Sequence, residues 1–577
     1  MTNNYQPKPC VTLSDTHVLH NLIDEDTNLY RPNENSNNSF SQGAPMNFTQ
    51  EQWLDLVKQE MNANLFCDNS VLQKIAHSAI QGGKMIRSKL VLLMHSIFTQ
   101  LFEVDTLPSD FSSISAKINP KQEVCGAQIE TMQKQTIKCK LELNKVRHQL
   151  IKACSMIELI QIGTLLHDDV IDESLTRRGK KTTHVEYGNK KSILAGDFMF
   201  ANVLSLLAEI NSSKITLATA ASIKKIIRGE MNQDLLTISK SSCELLGLNS
   251  RDILTKSSFS PLENCAPKDC ALENWAACDV VDFKQTTENK LNISKTAIDL
   301  VNKSYQNVIS DKTAELFVLA GDLGIEIARE AIKKVEKTDG ELELFEREPS
   351  TLHQRSFENS VKNQTNFENS MTIDQYISLA KAICVTLGKT FQIVDDISDY
   401  FCDYFCDSNL QKDILNDFKN KKLTLPTILM LAQIRNKCEK SSKNKSTEGE
   451  ARIDEPGIDE VLKMFIYDDY LNIFANRFID INRCDSKNLD QNHDSIFDSS
   501  PHIHANLQQI ILRVMYKEGI DEEILDVLEK INEDFMALIL NFPKSKARYD
   551  LIKMHQDMIN NGRELIIKQK SLFCFTA

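Results

Sequence analysis

The chain has 577 residues, 41% of them hydrophobic, and a formal net charge of −13. By length alone it could hold roughly three or four ordinary domains. Its acidic balance argues against a nucleic-acid partner, which normally selects a basic footprint.

Fifteen cysteines lie at irregular spacing. With no apolar leader ahead of them, they read as reduced thiols rather than a disulfide framework. Cys265, Cys270 and Cys278 cluster, but without zinc-site spacing or a nearby histidine. No stretch reads as long enough in apolar residues to span a membrane. Cytoplasm and mitochondrion both stay open as compartments.

Residues 1–50 contain nine asparagines and read as a disordered tail. Apolar residues then recur at helical spacing over 51–66, 70–101, 147–170, 191–235, 297–335, 372–400, 423–436, 456–482 and 503–570. In the third of these, Leu150, Ile151, Cys154, Ile157, Leu159, Ile160 and Leu165 form one broad apolar face. Strand-like alternation is scarce, so the expectation is an all-α bundle. Polar tracts near 104–146, 238–296, 336–371 and 437–507 read as surface insertions that bury too little apolar surface to order themselves. Residues 458–481 are the exception and read as a helix. Without the insertions, 51–570 is a single domain, followed by a short tail at 571–577.

Two carboxylate motifs close apolar helices. The first is Asp168-Asp169-Val170-Ile171-Asp172; the second is Asp395-Asp396-Ile397-Ser398-Asp399. On a helix, positions i and i+4 share a face, so each motif sets two carboxylates one turn apart. Such pairs repel unless a cation lies between them. Hard oxygen donors suit Mg²⁺, which is completed by substrate phosphates and water. A solvated acidic helix end is the plain alternative for one motif and a poorer account of two.

Cations accompany the motifs in order. Lys84 and Arg87 follow the glycine pair Gly82-Gly83, and Arg177 and Arg178 lie just past the first motif. Lys312 and Thr313 open another helical stretch, and Lys412 and Lys422 follow the second motif. Diphosphate oxygens suit such groups, with arginine able to bind them in bidentate fashion.

With these stretches the sequence resembles the trans-prenyl diphosphate synthase, or polyprenyl synthetase, family, on the side of its long-chain members. The resemblance rests on GGKMIR at 82–87, LLHDDVIDESLTRRG at 165–179, LAGDFMFA at 194–201, RGEMNQ at 228–233, KTAELF at 312–317, FQIVDDISDY at 391–400 and KKLTLPTIL at 421–429. It implies an isoprenoid synthase bundle of about ten or more helices around a central cavity, and a homodimer. It implies head-to-tail condensation of isopentenyl diphosphate with an allylic diphosphate.

Carried over residue by residue, Asp168, Asp172 and Asp395 would bind three Mg²⁺ ions, supported by Asp169, Asp396 and Asp399. Arg177, Lys312, Thr313, Gln392 and Lys412 would hold the allylic diphosphate. Lys84, Arg87, Gln161 and Arg178 would grip isopentenyl diphosphate, with Lys422 a further substrate-binding cation. The resemblance leaves room for peripheral membrane contact at product release. Ser88 stands where the family usually has proline, a difference expected to affect only a loop. Gln161 stands where bacterial relatives often have histidine. The stretch around Lys412 lacks the usual glycines.

In this family the residues four and five places before the first aspartate pair help floor the product cavity. Here they are Gly163 and Thr164, with Leu159 and Ser155 deeper on a similar face. Small side chains there imply an open tunnel and a product of geranylgeranyl length or longer. The competing reading is that small residues only permit close helix packing. Other readings of the whole chain are a short-chain farnesyl diphosphate synthase, a class I terpene cyclase and a non-catalytic partner subunit. The cyclase would not need Lys84 and Arg87, and the partner subunit would not need all six aspartates. Cys574-Phe575-Thr576-Ala577 has the form of a prenylation signal, though its middle residues are poor matches.

Overall fold

A computed structural model describes residues 49–81, 83–101, 126–177, 180–233, 236–237, 295–346, 371–402, 415–443, 457–466 and 501–574. Most of the expected N-terminal tail, the cysteine cluster at 265–278, Gly82, Arg178, Lys412 and residues 575–577 lie outside them.

The chain folds as helices, as the apolar periodicity implies. In order they are α1 (Gln50–Asn64), α2 (Ser70–Ile80), α3 (Ile86–Leu101), α4 (Gly126–Ile171), α5 (Thr183–Tyr187), α6 (Asn189–Ile210) and α7 (Ser213–Gln233). These are followed by α8 (Lys295–Ile309), a π-turn (Ser310–Ala314), α9 (Glu315–Glu346) and α10 (Ile373–Phe401). The last are α11 (Asn416–Lys419), α12 (Leu425–Lys443), α13 (Ile458–Ile466), α14 (Pro501–Lys517), α15 (Ile520–Ile539) and α16 (Lys546–Cys574). A two-residue antiparallel ladder, Thr176↔Lys181 and Arg177↔Lys180, joins α4 to α5.

Local sequence fixes several of the starts. Thr49 with Gln52, and Thr372 with Gln375, form capping boxes that satisfy orphan amides at the heads of α1 and α10. The Asn69 side chain accepts from Val71 and Leu72 at the head of α2.

The long central helices carry the core. Leu150, Cys154, Ile157, Leu159 and Ile160 of α4 are fully buried, as their spacing implies. Helix α9 packs against α3, α4, α7 and α10, so it runs through the middle of the bundle. One buried cluster gathers α1–α4, α6, α9 and the first half of α10; a second gathers the end of α10 with α12–α16.

Three sequence expectations change. The tract 104–146 is not wholly an insertion, because α4 is already helical from Gly126 and Val146 is buried. Its first turns are good helix formers without an apolar stripe, which reads as a polar loop. The tracts at 336–371 and 437–507 likewise lose their edges to α9, α12 and α14. Finally, Asn144–Ile171, Asn189–Ile210 and Ile373–Phe401 are each long and apolar enough to cross a membrane by length and composition. In α4 most of that apolar window is buried in the bundle, and in α10 a smaller share is. In α6 the buried share is the same as in α10.

Candidate active site

Both carboxylate motifs lie at helix C-termini: the first ends α4 and the second ends α10. A helix C-terminus carries partial negative charge, so carboxylates there call for cations. The fold supplies them through the π-turn, whose two successive residues face the two motifs.

Lys312 Nζ lies 2.5 Å from Glu230, 3.9 Å from Asp168, and donates to Gln233 Oε1 at 2.6 Å. Thr313 Oγ1 donates to Gln392 Oε1 at 2.6 Å, and Gln392 Nε2 donates to Asp396 Oδ1 at 2.7 Å. The π-turn can sit this deep because two glycines let it. A Cβ on Gly229 of α7 would lie 2.4 Å from the Lys312 nitrogen, and one on Gly388 of α10 would lie 2.3 Å from the Ala314 Cα.

The first motif spans the helix end. The Asp172 amide still bonds the Asp168 carbonyl at 2.7 Å, and Glu173 then turns away at φ 51°. Asp168 is partly exposed. Burial, with Glu230 and Asp172 nearby, pushes its carboxyl upward against the pull of Lys312 and Arg177. Asp169 points the other way, 4% exposed, and accepts from Arg177 Nε at 2.8 Å and Nη2 at 2.7 Å. Arg177 is thus brought back from the short ladder onto the motif it follows.

The second motif divides in the same manner. Asp395 is exposed. Asp396 is buried and accepts from the buried Tyr305 hydroxyl at 2.5 Å as well as from Gln392. Burial, then Asp417, raise its carboxyl well above the usual range. Asp399 accepts from the Asn416 and Asp417 amides at 3.0 and 2.9 Å. It caps α11 from a distance and fixes the point where the chain returns. The structure therefore leaves Asp395 exposed and Asp168 and Asp172 half-buried beside Lys312 and Lys422, and gives Asp169, Asp396 and Asp399 the partners Arg177, Tyr305 with Gln392, and two backbone amides.

Lys422 joins the two halves. Its backbone pairs with Thr237 in an isolated bridge, and the Leu423 amide bonds the Leu236 carbonyl at 2.9 Å. Its Nζ donates to Asp172 Oδ1 at 2.9 Å. Burial alone would lower this ammonium; Asp172 and Asp417 outweigh burial and raise it.

The other sequence candidates sit on the α3–α4 side. Lys84 is exposed in the connection before α3. Arg87 is buried with its guanidinium 4.7 Å above the Phe317 ring and 5.5 Å from that of Phe391. Phe391 is one turn before Asp395 on α10, and Phe317 one turn after Thr313 on α9. Gln161 is half-buried on the α4 face that leads to Asp168. Ser88 is not in a loop: it lies in the first turn of α3, and its amide and hydroxyl both donate to Glu158.

Gly163 faces α6. A Cβ there would meet the Phe200 ring at 3.1 Å and the Gly196 carbonyl at 3.3 Å. Its small size therefore serves the α4–α6 contact. Thr164 is half-buried and donates to the Gln161 carbonyl at 2.9 Å. Ser155 is buried and donates to the Val57 carbonyl of α1 at 3.3 Å. A surface depression of about 430 Å³ opens at Met371, Asp374 and Gln375. It lies at the opposite end of α10, roughly 30 Å from Asp395 at 1.5 Å per residue, and is unrelated to the carboxylates.

Sequence reasoning passed over Glu158, Glu230, Gln233 and Tyr305. Glu230 and Gln233 lie in the RGEMNQ stretch, and only the fold shows that they meet Lys312. Glu158 sits one helical turn before Gln161, a spacing that could have drawn notice. Tyr305, seven residues before Lys312, carried no signal of its own.

The donor set fits Mg²⁺. It is all oxygen, and its carboxylates crowd at two negative helix ends. Among the described residues no three acidic, histidine or cysteine side chains converge to hold an ion alone. That suits an ion completed by substrate phosphates and water rather than by an all-protein cage.

The sequence model of the family described as Polyprenyl synthetase matches residues 69–245 and 355–456. Among curated relatives, a prenyl transferase of Cyanidium caldarium is 40% identical over 91 residues, 16% of this chain and 28% of that one. Decaprenyl-diphosphate synthase subunit 1 of Schizosaccharomyces pombe is 35% identical over 120 residues, covering 21% and 32%. The chloroplastic solanesyl-diphosphate synthase 2 of Oryza sativa subsp. japonica is 42% identical over 93 residues, covering 16% and 22%. The matched stretches thus span no more than about a third of these relatives' own lengths. Two carboxylate motifs, their ordered cations and the matching family model agree: the chain is similar to the polyprenyl synthetase family over the matched residues 69–245 and 355–456.

Proposed function

We propose that this protein elongates an allylic diphosphate by head-to-tail addition of isopentenyl diphosphate, giving an all-trans product of geranylgeranyl length or longer. The observation that carries this reading is the π-turn, where Lys312 faces the first aspartate motif and Thr313, through Gln392, faces the second. One diphosphate between the motifs would meet both.

Asp168, Asp172 and Asp395 would hold Mg²⁺. Bound there, the ions would neutralise the charge that builds on the departing diphosphate. Lys312, Thr313, Gln392, Arg177 and Lys412 orient that diphosphate, and Asp169, Asp396 and Asp399 keep the supporting frame in place. Lys84, Arg87, Gln161 and Arg178 hold isopentenyl diphosphate so that its double bond lies against the ionising carbon. The surrounding apolar walls exclude water from the allylic cation. The long product is supported by the relatives named for decaprenyl and solanesyl chains.

The functional unit in this reading is a homodimer. Helices α6 and α7 each expose an apolar stripe, with Leu194 and Leu204 on the first and Leu217, Ile227 and Met231 on the second. Exposed apolar area of this kind marks an interaction surface. A heteromeric unit is the second reading, favoured by the fission-yeast relative named as a subunit.

The test is incubation of the purified protein with labelled isopentenyl diphosphate, Mg²⁺ and dimethylallyl, farnesyl or geranylgeranyl diphosphate, followed by chromatography of the products. Chains of geranylgeranyl length or longer support the proposal. Absence of elongation from every primer would sink the reading of an enzyme active on its own. Light scattering of the same sample reads the oligomer.

A further inference from the structure

Tyr305 lies on α8, about two turns before Thr313, and is 2% exposed. Its hydroxyl donates to Asp396 Oδ2 at 2.5 Å. The other oxygen of Asp396 accepts from Gln392 Nε2 at 2.7 Å, and Gln392 Oε1 accepts from Thr313 Oγ1 at 2.6 Å. These four side chains form one chain of hydrogen bonds. It leaves α8, crosses one turn of α10 from Asp396 to Gln392, and returns to the π-turn that follows α8.

The direction of these bonds matters. A carboxamide has a donating end and an accepting end, whereas a carboxylate oxygen only accepts. With Tyr305 donating to Oδ2, Asp396 meets Gln392 through Oδ1 and draws the nitrogen end of the amide toward it. Gln392 Oε1 is then turned to Thr313 and is spent there. Among the described residues, the second hydrogen of Gln392 Nε2 has no acceptor. The amide thus keeps a donor for an arriving diphosphate, whose oxygens accept, and holds its own oxygen away. Asp396 is 3% exposed, so solvent does not readily replace the Tyr305 hydroxyl. A buried acceptor left without a donor is costly, and rotation of the carboxyl would relieve it. The amide would turn with the carboxyl and bring Oε1 against the diphosphate oxygens.

We propose that Tyr305 is a positioning residue for the allylic diphosphate: through Asp396 it fixes the direction of the Gln392 amide. This rests on the functional reading above. Tyr305 acts through Asp396 and Gln392, not by touching substrate. Two effects compete when its hydroxyl is lost. The bond from Gln392 to Oδ1 tends to hold the amide in place, whereas the orphaned Oδ2 tends to pull the carboxyl out of line. The proposal requires the second to win.

The test is calorimetric titration of farnesyl diphosphate with Mg²⁺ into the full chain, with isopentenyl diphosphate left out so that nothing is elongated. Tyr305→Phe keeps the buried ring and removes only the hydroxyl. It should raise the Kd about tenfold, the scale of one hydrogen bond to a charged ligand. Gln392→Met has neither end of the amide and should raise the Kd at least as much. In that background Tyr305→Phe should add nothing. In turnover, KM for the allylic substrate should rise in Tyr305→Phe while KM for isopentenyl diphosphate stays put. A lower Tm with an unchanged Kd would overturn the proposal, as would the same loss of affinity with and without Gln392. An unchanged Kd in Gln392→Met would overturn it even if Tyr305→Phe did not fold. If the wild type binds farnesyl diphosphate but elongates no primer, the functional reading fails alone, and the titration still decides the role of Tyr305. If the wild type does not bind farnesyl diphosphate, both fail.

Discussion

Lys422 donates to Asp172 across 2.9 Å, joining residues 250 positions apart in the chain. The bond ties the end of the first aspartate motif to the segment that follows the second. Lys422→Ala should leave Asp172 beside Asp168 and Glu230 with one cation fewer. Loss of a charged hydrogen bond of this kind costs about 1.5–3 kcal/mol. Elongation, measured as kcat/KM, should fall about 10- to 100-fold on the same scale, and Lys422→Arg should recover part of it. Full activity in Lys422→Ala would show that the bond does not matter to turnover.

Asp395 and Asp399 belong to one motif but should fail in different ways. Asp399 accepts two backbone amides, so Asp399→Ala should cost about 2–6 kcal/mol, from about 1–3 kcal/mol for each amide left without a partner. Asp395 is exposed. Asp395→Ala should change stability by less than about 0.5 kcal/mol yet abolish elongation. Urea unfolding beside activity measurements separates the two. Equal stability of both variants would contradict the assignment of Asp399 as a clamp.

Gly163→Phe places a large ring where a Cβ already meets Phe200 at 3.1 Å. Overpacking of this kind costs about 1–3 kcal/mol, visible as a lower Tm. Phe200→Ala in the same chain should restore the Tm by making room. If Gly163 also floors the product cavity, the restored double variant should make shorter chains than the wild type. Unchanged product length would leave Gly163 a packing residue only.

His555 is buried, stacked 3.9 Å from Phe535, and burial lowers its imidazole from 6.5 to about 3. A base whose pKa is lower in the folded state is stabilised above its unfolded pKa, and the contribution is lost as pH falls. The stability difference between wild type and His555→Gln should therefore shift against the wild type by about 1.4 kcal/mol per pH unit between about pH 6.5 and pH 3. Comparing the two proteins cancels the other titrating groups. A pH-independent difference would mean that His555 titrates normally.

Much of the fold was legible in the chain. Apolar residues at helical spacing marked α4, α6, α9 and α10, because a helix buries one face whatever its partner. The edges of the polar tracts were less legible. The head of α4 has helix-forming residues but no apolar stripe, and periodicity alone reads such a stretch as loop.

The site shows the same division. The aspartate pairs and the cations Arg177, Lys312 and Lys422 could be picked out, since their chemistry is written in residue type and spacing. What each aspartate does could not. Asp168 and Asp169 are neighbours in sequence, yet one stays partly exposed beside Lys312 and the other is buried against Arg177. That follows from the 100° step between successive residues on a helix and from what packs on each side.

The sequence by itself determined an all-α chain that resembles the polyprenyl synthetases, with two acidic motifs and their cations. These depend on local periodicity and on residue identity, which need no partner to be read. Only the tertiary structure decided that a π-turn wedged between Gly229 and Gly388 links the two motifs, that Ser88 donates to Glu158 across helices, and that Gly163 meets Phe200. Each of those relations depends on close approach between segments far apart in the chain, where differences of an ångström set the outcome and no short stretch of sequence records them.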